Sequence, residues 1–432
     1  MAYNPSNWPL AGEAPAEADL SRCVHCGLCV NSCPTYVVTG LEAESPRGRI
    51  YLARGVGEGE IPMTAAVQSH WDLCLQCRAC EAVCPSGVPY GRIMEHVRAQ
   101  VAGKPRRARV SRRLRRFVLR NVVARPRVLA AAVAPARWWA GSRARRLFER
   151  IGLRLPGLLG RGEAQLPHRP GRPVRPGDVL PRPNAPMQQV TLFTGCVMSE
   201  LFGNVHRATA RVLARAGIEP VAIEGQGCCG ALHAHDGDIE FARALARRNI
   251  DALEGEQVIV VNSAGCGAAM KEYGELLAGD PDYAGRAAAF SRRVRDFSEY
   301  VAEIGAASGG RFHARVAYQD ACHLAHAQRI REQPRALLRG LAGCELVDTA
   351  GADLCCGAAG IYSLVEPQMS GELRARKAEQ FAKHRPDVVV TANPGCQMQY
   401  EAAVREAGIN ARVMHIAEVI DEAQRQVERA RT

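Results

Sequence analysis

The 432-residue chain has no apolar run of the roughly 20 residues that a membrane-crossing helix needs. The longest, Val128 to Ala136, is short and is interrupted by Pro135. The opening MAYNPSNWPLAGEAPAEADL lacks the basic stretch and apolar core of a secretory signal, so a reducing cytoplasm is the expected setting. A dinucleotide fingerprint is missing too. The only glycine-rich candidate, GVGEGE at Gly55 to Glu60, neither follows a buried strand nor opens a helix, so no flavin or nucleotide site is expected. No helix-turn-helix, finger or RNA-binding motif accompanies the basic residues, which argues against a nucleic-acid partner.

What the chain does have is cysteine, in an arrangement unsuited to a disulfide framework. Seventeen is an odd number, sparse for this length, and the residues are clustered. CVHCGLCVNSCP runs from Cys23 to Pro34, and CLQCRACEAVCP repeats the spacing from Cys74 to Pro85. Paired C-x2-C motifs suit zinc. The finer pattern C-x2-C-x2-C-x3-C-P, present twice, is that of bacterial-type four-iron clusters. Three closely spaced thiolates wrap one cluster, and the proline turns the chain away so that the fourth cysteine reaches the other. The expected ligands are therefore Cys23, Cys26, Cys29 and Cys84 for one 4Fe-4S cluster, and Cys74, Cys77, Cys80 and Cys33 for the second.

From Gly103 to about Pro186 the composition changes. Much of the net charge of +12 falls in an arginine-dominated, proline-punctuated segment. Its first half reads as an interrupted amphipathic helix, with Leu114, Phe117, Val118 and Leu119 among arginines, then Val128 to Val133, then Trp138 and Trp139. Its second half reads as a Pro/Gly linker. Such a basic face suits an anionic lipid surface, a partner subunit, or solvent.

Beyond Gln188 the chain turns α/β and repeats itself. Runs ending at Cys196, Cys228-Cys229 and Cys266 recur at Cys322, Cys355-Cys356 and Cys396, at offsets of 126, 127 and 130 residues. Unbroken β-branched runs, Val258 to Val261 and Val388 to Thr391, predict parallel strands buried on both faces. The cysteines then fall just past the strands' carboxyl ends, where open α/β sheets place ligands. Vicinal cysteines, with Cα atoms about 3.8 Å apart, sit closer than the roughly 4.4 to 6.8 Å of ordinary disulfides. Ligand duty suits them better.

On the stretches ESPRGRI (Glu44 to Ile50), CPSGVPYG (Cys84 to Gly91), QDACHLAH (Gln319 to His326), CCGAAGIY (Cys355 to Tyr362) and ANPGCQMQ (Ala392 to Gln399), the chain resembles the iron-sulfur subunits of glycolate oxidase. Its two repeats resemble the cysteine-rich CCG domains of the heterodisulfide reductase B-subunit family. The resemblance implies an α+β ferredoxin-like two-cluster helical domain over residues 1–103, a basic linker over 104–187, and a tandem α/β repeat of CCG domains over 188–310 and 311–432. The fuller CCG pattern ends in C-x-x-C, whereas Ala269 and Gln399 stand at the last position here. Four cysteines per repeat remain: Cys196, Cys228, Cys229 and Cys266, and Cys322, Cys355, Cys356 and Cys396. These are candidate sites for an additional iron-sulfur cluster in one or both domains, of open type. His323 and His326 are read as hydrogen-bonded loop residues, with a ligand, proton-relay or quinone-site role as the alternative, and Cys344 as a small buried hydrophobe.

The function implied is electron transfer within an oxidoreductase. FAD-binding glycolate oxidase subunits would oxidise glycolate to glyoxylate, and the clusters would carry electrons towards quinone or another acceptor. The alternatives are the equivalent subunit of an L-lactate or glycerol-3-phosphate dehydrogenase complex, or a thiol-disulfide reductase. A cytoplasmic location is expected, with peripheral contact on the inner face of the cytoplasmic membrane as the variant that the basic segment suggests.

Overall fold

The computed structural model describes residues 2–101, 106–150, 157–168, 170–307 and 309–431. The expected boundary between residues 103 and 104 lies outside the described residues.

Residues 2–101 form short helices and loops without a strand. The longest helices, Pro46–Gly57 and Tyr90–Val101, present Ile50, Ala53, Ile93, Met94 and Val97 to a core completed by Trp8, Leu20 and Trp71. Trp8 leans on Trp71 at a centroid distance of 5.9 Å. The sequence GVGEGE spans the end of the first of these helices and the turn after it.

The two repeats have the same topology. In the first, β1 (Gln188–Phe193), β2 (Ile218–Val221), β3 (Ile259–Val261) and β4 (Val294–Asp296) lie in the order β2-β1-β3-β4, every pairing parallel. In the second, β5 (Arg311–Tyr318), β6 (Ala342–Leu346), β7 (Val388–Thr391) and β8 (Arg412–His415) lie in the order β6-β5-β7-β8, again all parallel. β3 and β7 are buried along their full length, as their β-branched sequences require. β6, at a sheet edge, is largely exposed, and its Cys344 is only half-buried against the shared core.

One hydrophobic core runs through both repeats. The helix Gly203–Arg215 packs on the C-terminal helix Ile416–Arg431, where Arg211 and Arg215 both grip the buried Asp421. The loops after β3 and β7 also meet. Ala264 N–H donates to Ala392 O at 3.2 Å, and Ser263 Oγ donates to Asn393 Oδ1 at 3.3 Å. Equivalent cysteine-bearing loops of the two repeats thus lie side by side.

The basic segment forms helices over Arg106–Val118, Pro126–Gly141, Arg143–Arg150 and Gly157–Ala164, the first followed by a wide turn at Leu119–Val123. It is strapped to the molecule rather than free. Arg112 pairs with Asp72 of the helical domain, and Arg115 with Asp236 of the first repeat. Arg120 grips Asp238 through two bonds of 2.6 Å, and Arg137 reaches Glu200 at 3.2 Å. Several arginines that looked available to external anions therefore serve internal carboxylates.

Candidate metal centres

The two ferredoxin-type loops are curled by the same backbone device. His25 and Gly27 in one, and Gln76 and Arg78 in the other, occupy matching positions between the cysteines and all take positive φ, from 51° to 84°. Such residues turn the chain tightly enough to aim its thiols and amides inward. Gln76 N–H accordingly donates to Cys74 Sγ at 3.4 Å.

The structure draws the thiols together in crossed sets. Cys84, though distant in sequence, sits close enough to Cys23 and Cys29 for its charge to raise their thiol pKa values, which burial has already raised, that of Cys29 to about 11. Cys33 acts in the same way on Cys77 and Cys80, where burial is the main cause. Cys33, Cys74, Cys77 and Cys80 line one small cavity together with Thr35, Arg49 and Tyr90. The first set is nearer to solvent, with Cys26 exposed, whereas all four thiols of the second are buried.

ESPRGRI is the brace between these loops. Ser45 caps the helix Pro46–Gly57 by accepting from Gly48 N–H at 3.0 Å, with Pro46 at the first helical position. A Cβ on Gly48 would lie 2.1 Å from the Glu42 carbonyl, so only glycine fits. Arg47 donates to His25 O at 3.2 Å, steadying the first loop. Buried Arg49 donates to Glu44 at 2.6 Å and to Thr35 at 3.1 Å, and points a further N–H at Cys33 Sγ, 3.9 Å away. Donors of this kind to ligand sulfur tune a cluster's potential.

In each repeat the four cysteines converge past the carboxyl ends of the three neighbouring strands. Cys228, approached by the thiols of Cys196 and Cys229, is held well below the ordinary thiol pKa, while Cys196 and Cys229 are pushed up, Cys229 by its bonds to Cys228 and Cys266. The second repeat copies this. The thiols of Cys355 and Cys396 are hydrogen-bonded to that of Cys356 and are raised, Cys356 is lowered, and the Cys322 thiol is hydrogen-bonded to that of Cys355. Asn393 donates to Cys396 Sγ at 3.6 Å.

The two sites differ in what surrounds them. Lys377 is buried beside the second set and donates to Gln319 Oε1 at 2.9 Å and to two backbone carbonyls. Its charge helps to lower Cys356. Beside the first set, His233 is fully buried against Cys228. Sequence reasoning passed over both. Lys377 lies in an ordinary amphipathic helix, and His233, four residues after Cys229, has no counterpart in the other repeat, where Gly360 stands. Both histidines that it did single out are hydrogen-bonded. His323 Nε2 lies 2.9 Å from Gln76 O, and His326 Nε2 lies 2.9 Å from Asp353 O.

Buried Cys77 and half-buried Cys322 interact electrostatically, so the second ferredoxin-type set adjoins the second-repeat set. Leu75, Cys77, Cys355 and Tyr362 pack in one cluster there, and Tyr362 Oη donates to Leu73 O at 2.8 Å.

Among the described residues, no three His, Cys, Asp or Glu side chains converge tightly enough to hold a single metal ion. The donors are instead sets of four thiols, the ligand type and number that a four-iron cluster takes. Closely packed buried thiols cannot all ionise unless cationic metal offsets their charge, and binding would release their protons. The donor chemistry therefore fits an iron-sulfur group.

Known proteins align with this architecture. The 4Fe-4S dicluster domain family matches residues 19–88, and the cysteine-rich domain family matches residues 190–271 and 316–401. A probable glycolate oxidase iron-sulfur subunit of Bacillus subtilis is 35% identical over 429 residues, covering 94% of each chain. The glycolate oxidase iron-sulfur subunit of Escherichia coli is 36% identical over 94% of this chain and 95% of its own. Lactate utilization protein A of Bacillus velezensis is 30% identical, but over only 54% of this chain. With both domain types in the same order and similarity running almost end to end, this chain belongs to the family of glycolate oxidase iron-sulfur subunits.

Proposed function

We propose that the chain is the electron-transfer subunit of a glycolate-oxidising complex, taking electrons from an FAD-binding partner that converts glycolate to glyoxylate and passing them towards a quinone-type acceptor. The observation that carries this reading is the contiguity of the thiol sets, from Cys29, whose charge acts on Cys80 of the buried set, through Cys77 to Cys322 and the second repeat. Bound iron-sulfur clusters supply one-electron steps, which suit a flavin that must discharge a two-electron oxidation singly.

In this reading Cys23, Cys26, Cys29 and Cys84 hold one 4Fe-4S cluster, and Cys74, Cys77, Cys80 and Cys33 hold the other. Cys196, Cys228, Cys229 and Cys266, with Cys322, Cys355, Cys356 and Cys396, hold further iron-sulfur centres. The chain's own contribution is to bury these thiols, orient them and exclude water. Arg49 and Asn393 present donors to sulfur. The domain divisions 1–103, 104–187, 188–310 and 311–432 follow the same logic.

No helix among the described residues is long and apolar enough to cross a membrane. Peripheral contact with the inner face of the cytoplasmic membrane is supported by the exposed Leu114, Phe117 and Trp138 of the basic segment. An L-lactate complex is the second reading, favoured by the likeness to lactate utilization protein A.

The test is anaerobic purification with iron analysis, followed by glycolate-dependent dye reduction with and without the co-expressed flavoprotein. At least eight irons per chain are expected on the strength of the two complete motifs, with turnover only in the complex. Glycolate oxidation by the chain alone, or stoichiometric zinc in place of iron, contradicts the proposal.

A further inference from the structure

We infer that His233 is a nitrogen donor to the metal centre of the first repeat, in the role for which Ala269 leaves no fifth cysteine. The inference rests on the reading that the first repeat holds an iron-sulfur centre, and it concerns this chain's own residue towards that group.

His233 has no solvent exposure, and neither Nδ1 nor Nε2 meets a nitrogen or oxygen partner; the one polar group within its reach is the Cys228 thiol. Orphaned buried polar atoms cost on the order of 1–3 kcal/mol each, and native structures rarely keep two on one ring without a use. Of the other buried histidines, His415 leaves Nε2 without a partner but accepts from Ala417 N–H at Nδ1, and the remaining two use both nitrogens. His206 contacts both Thr194 O and Asn262, and His326 contacts both Asp353 O and Arg331.

The surroundings aim the ring. Gly230, at a φ of 89°, lets the chain turn directly after Cys228-Cys229, with its N–H donating to Cys228 Sγ at 3.5 Å. The short helix Ala231–His235 that follows carries His233 back towards the thiols, within contact of Cys228. Phe241 backs the ring at a centroid distance of 4.7 Å, and Arg120 of the basic strap covers Phe241 from 5.1 Å. Ala124 of the strap and Leu245 pack beside Cys228 in the same apolar enclosure. The imidazole is thus sealed from water, and the polar group it faces is the thiol set.

The chemistry is simple ligation. A neutral imidazole offers its lone pair to iron, with no change of oxidation state and no added negative charge. Exchange of thiolate for imidazole raises cluster potentials. The second repeat has no equivalent, because Gly360 stands at the matching position and a Cβ there would lie 2.3 Å from the Leu232 side chain. The structure therefore assigns the nitrogen to one repeat alone.

The experiment uses the full chain, purified anaerobically after labelling with ¹⁵N-histidine, and pulsed paramagnetic resonance in the oxidised and reduced states. One centre should show a nitrogen coupling that changes with the isotope. Cys196→Ala should remove that centre's iron. H233A and H233C should abolish the coupling while leaving the two ferredoxin-type signals unchanged, and H233C should keep the iron and shift that centre's potential downward. Should H233A fail to fold, the labelled wild-type spectrum still decides. A first-repeat centre without histidine coupling overturns the role of His233 alone. Iron content unchanged by Cys196→Ala overturns the occupancy on which it rests.

Discussion

Single side chains separate sites that the sequence repeat makes look alike. Lys377 is the clearest case. Burial pulls its pKa down, yet Cys356, Cys355 and Cys396 favour its charge. A fixed cation stabilises the more negative, reduced state of a nearby centre. At an effective dielectric of about 20 such an interaction is about 2 kcal/mol, or on the order of 100 mV for one electron. K377Q keeps a donor for Gln319 or the carbonyls but removes the charge. The second-repeat centre should then become harder to reduce by tens of millivolts to about this amount, with the other centres unmoved in a redox titration. An unshifted potential would leave Lys377 only its hydrogen-bonding role. The same scale shows what the sequence discloses. Cysteine spacing announces its chemistry, because short intervals restrict which thiols can meet. Arg49, Lys377 and His233 reach their thiols through folding, from positions whose local pattern says only helix or turn.

At the scale of elements, the parallel strands were legible because β3 and β7 are buried on both faces and must be apolar throughout. Their lateral order was not, since β1 and β5 become central only when the crossover helices pack. The seam between repeats was hidden for the same reason. At that seam His206 and His415 are buried, with pKa values pulled down to about 4 and about 3, chiefly by desolvation. Neutral imidazoles thus contribute stability that is complete above the unfolded value of about 6.5 and is lost as pH falls towards 4. Glu401 acts oppositely. Burial raises its carboxyl to about 7, so its contribution is present in acid and fades as pH rises through neutrality. Thermal unfolding of wild type and H206Q between pH 4 and 8 should show the variant losing less stability on acidification, and matched pH comparison removes the effect of cluster loss. Parallel curves would mean that His206 does not titrate during unfolding.

Across the whole molecule, the basic segment has two kinds of residue. Asp236, Asp238 and Glu200 are almost wholly buried, and Arg115, Arg120 and Arg137 neutralise them. Removing one partner of such a pair leaves a buried charge and costs about 3–5 kcal/mol, a figure to be discounted for Arg120, whose side chain is 43% exposed. R115A with R120A should therefore loosen the strap, lower the melting temperature and expose the first repeat to proteolysis, before any question of lipid arises. Arg113, Leu114, Phe117 and Trp138 are different, exposed and without such duty, with Trp138 at 75%. Near an anionic leaflet an arginine contributes about 1 kcal/mol, and a buried aromatic about 1.5–3 kcal/mol. Replacing Arg113, Leu114, Phe117 and Trp138 together by Ser should leave iron content and melting unchanged yet abolish flotation with anionic vesicles. Salt should weaken wild-type flotation only in part, because the apolar contacts are not screened. If the quadruple variant floats like wild type but no longer co-elutes with the flavoprotein, the face belongs to the partner subunit. The strap's earlier helices were readable from sequence, whereas Gly157–Ala164 falls where a Pro/Gly linker was expected; the division of labour was hidden because it depends on which arginines find the buried carboxylates of the first repeat.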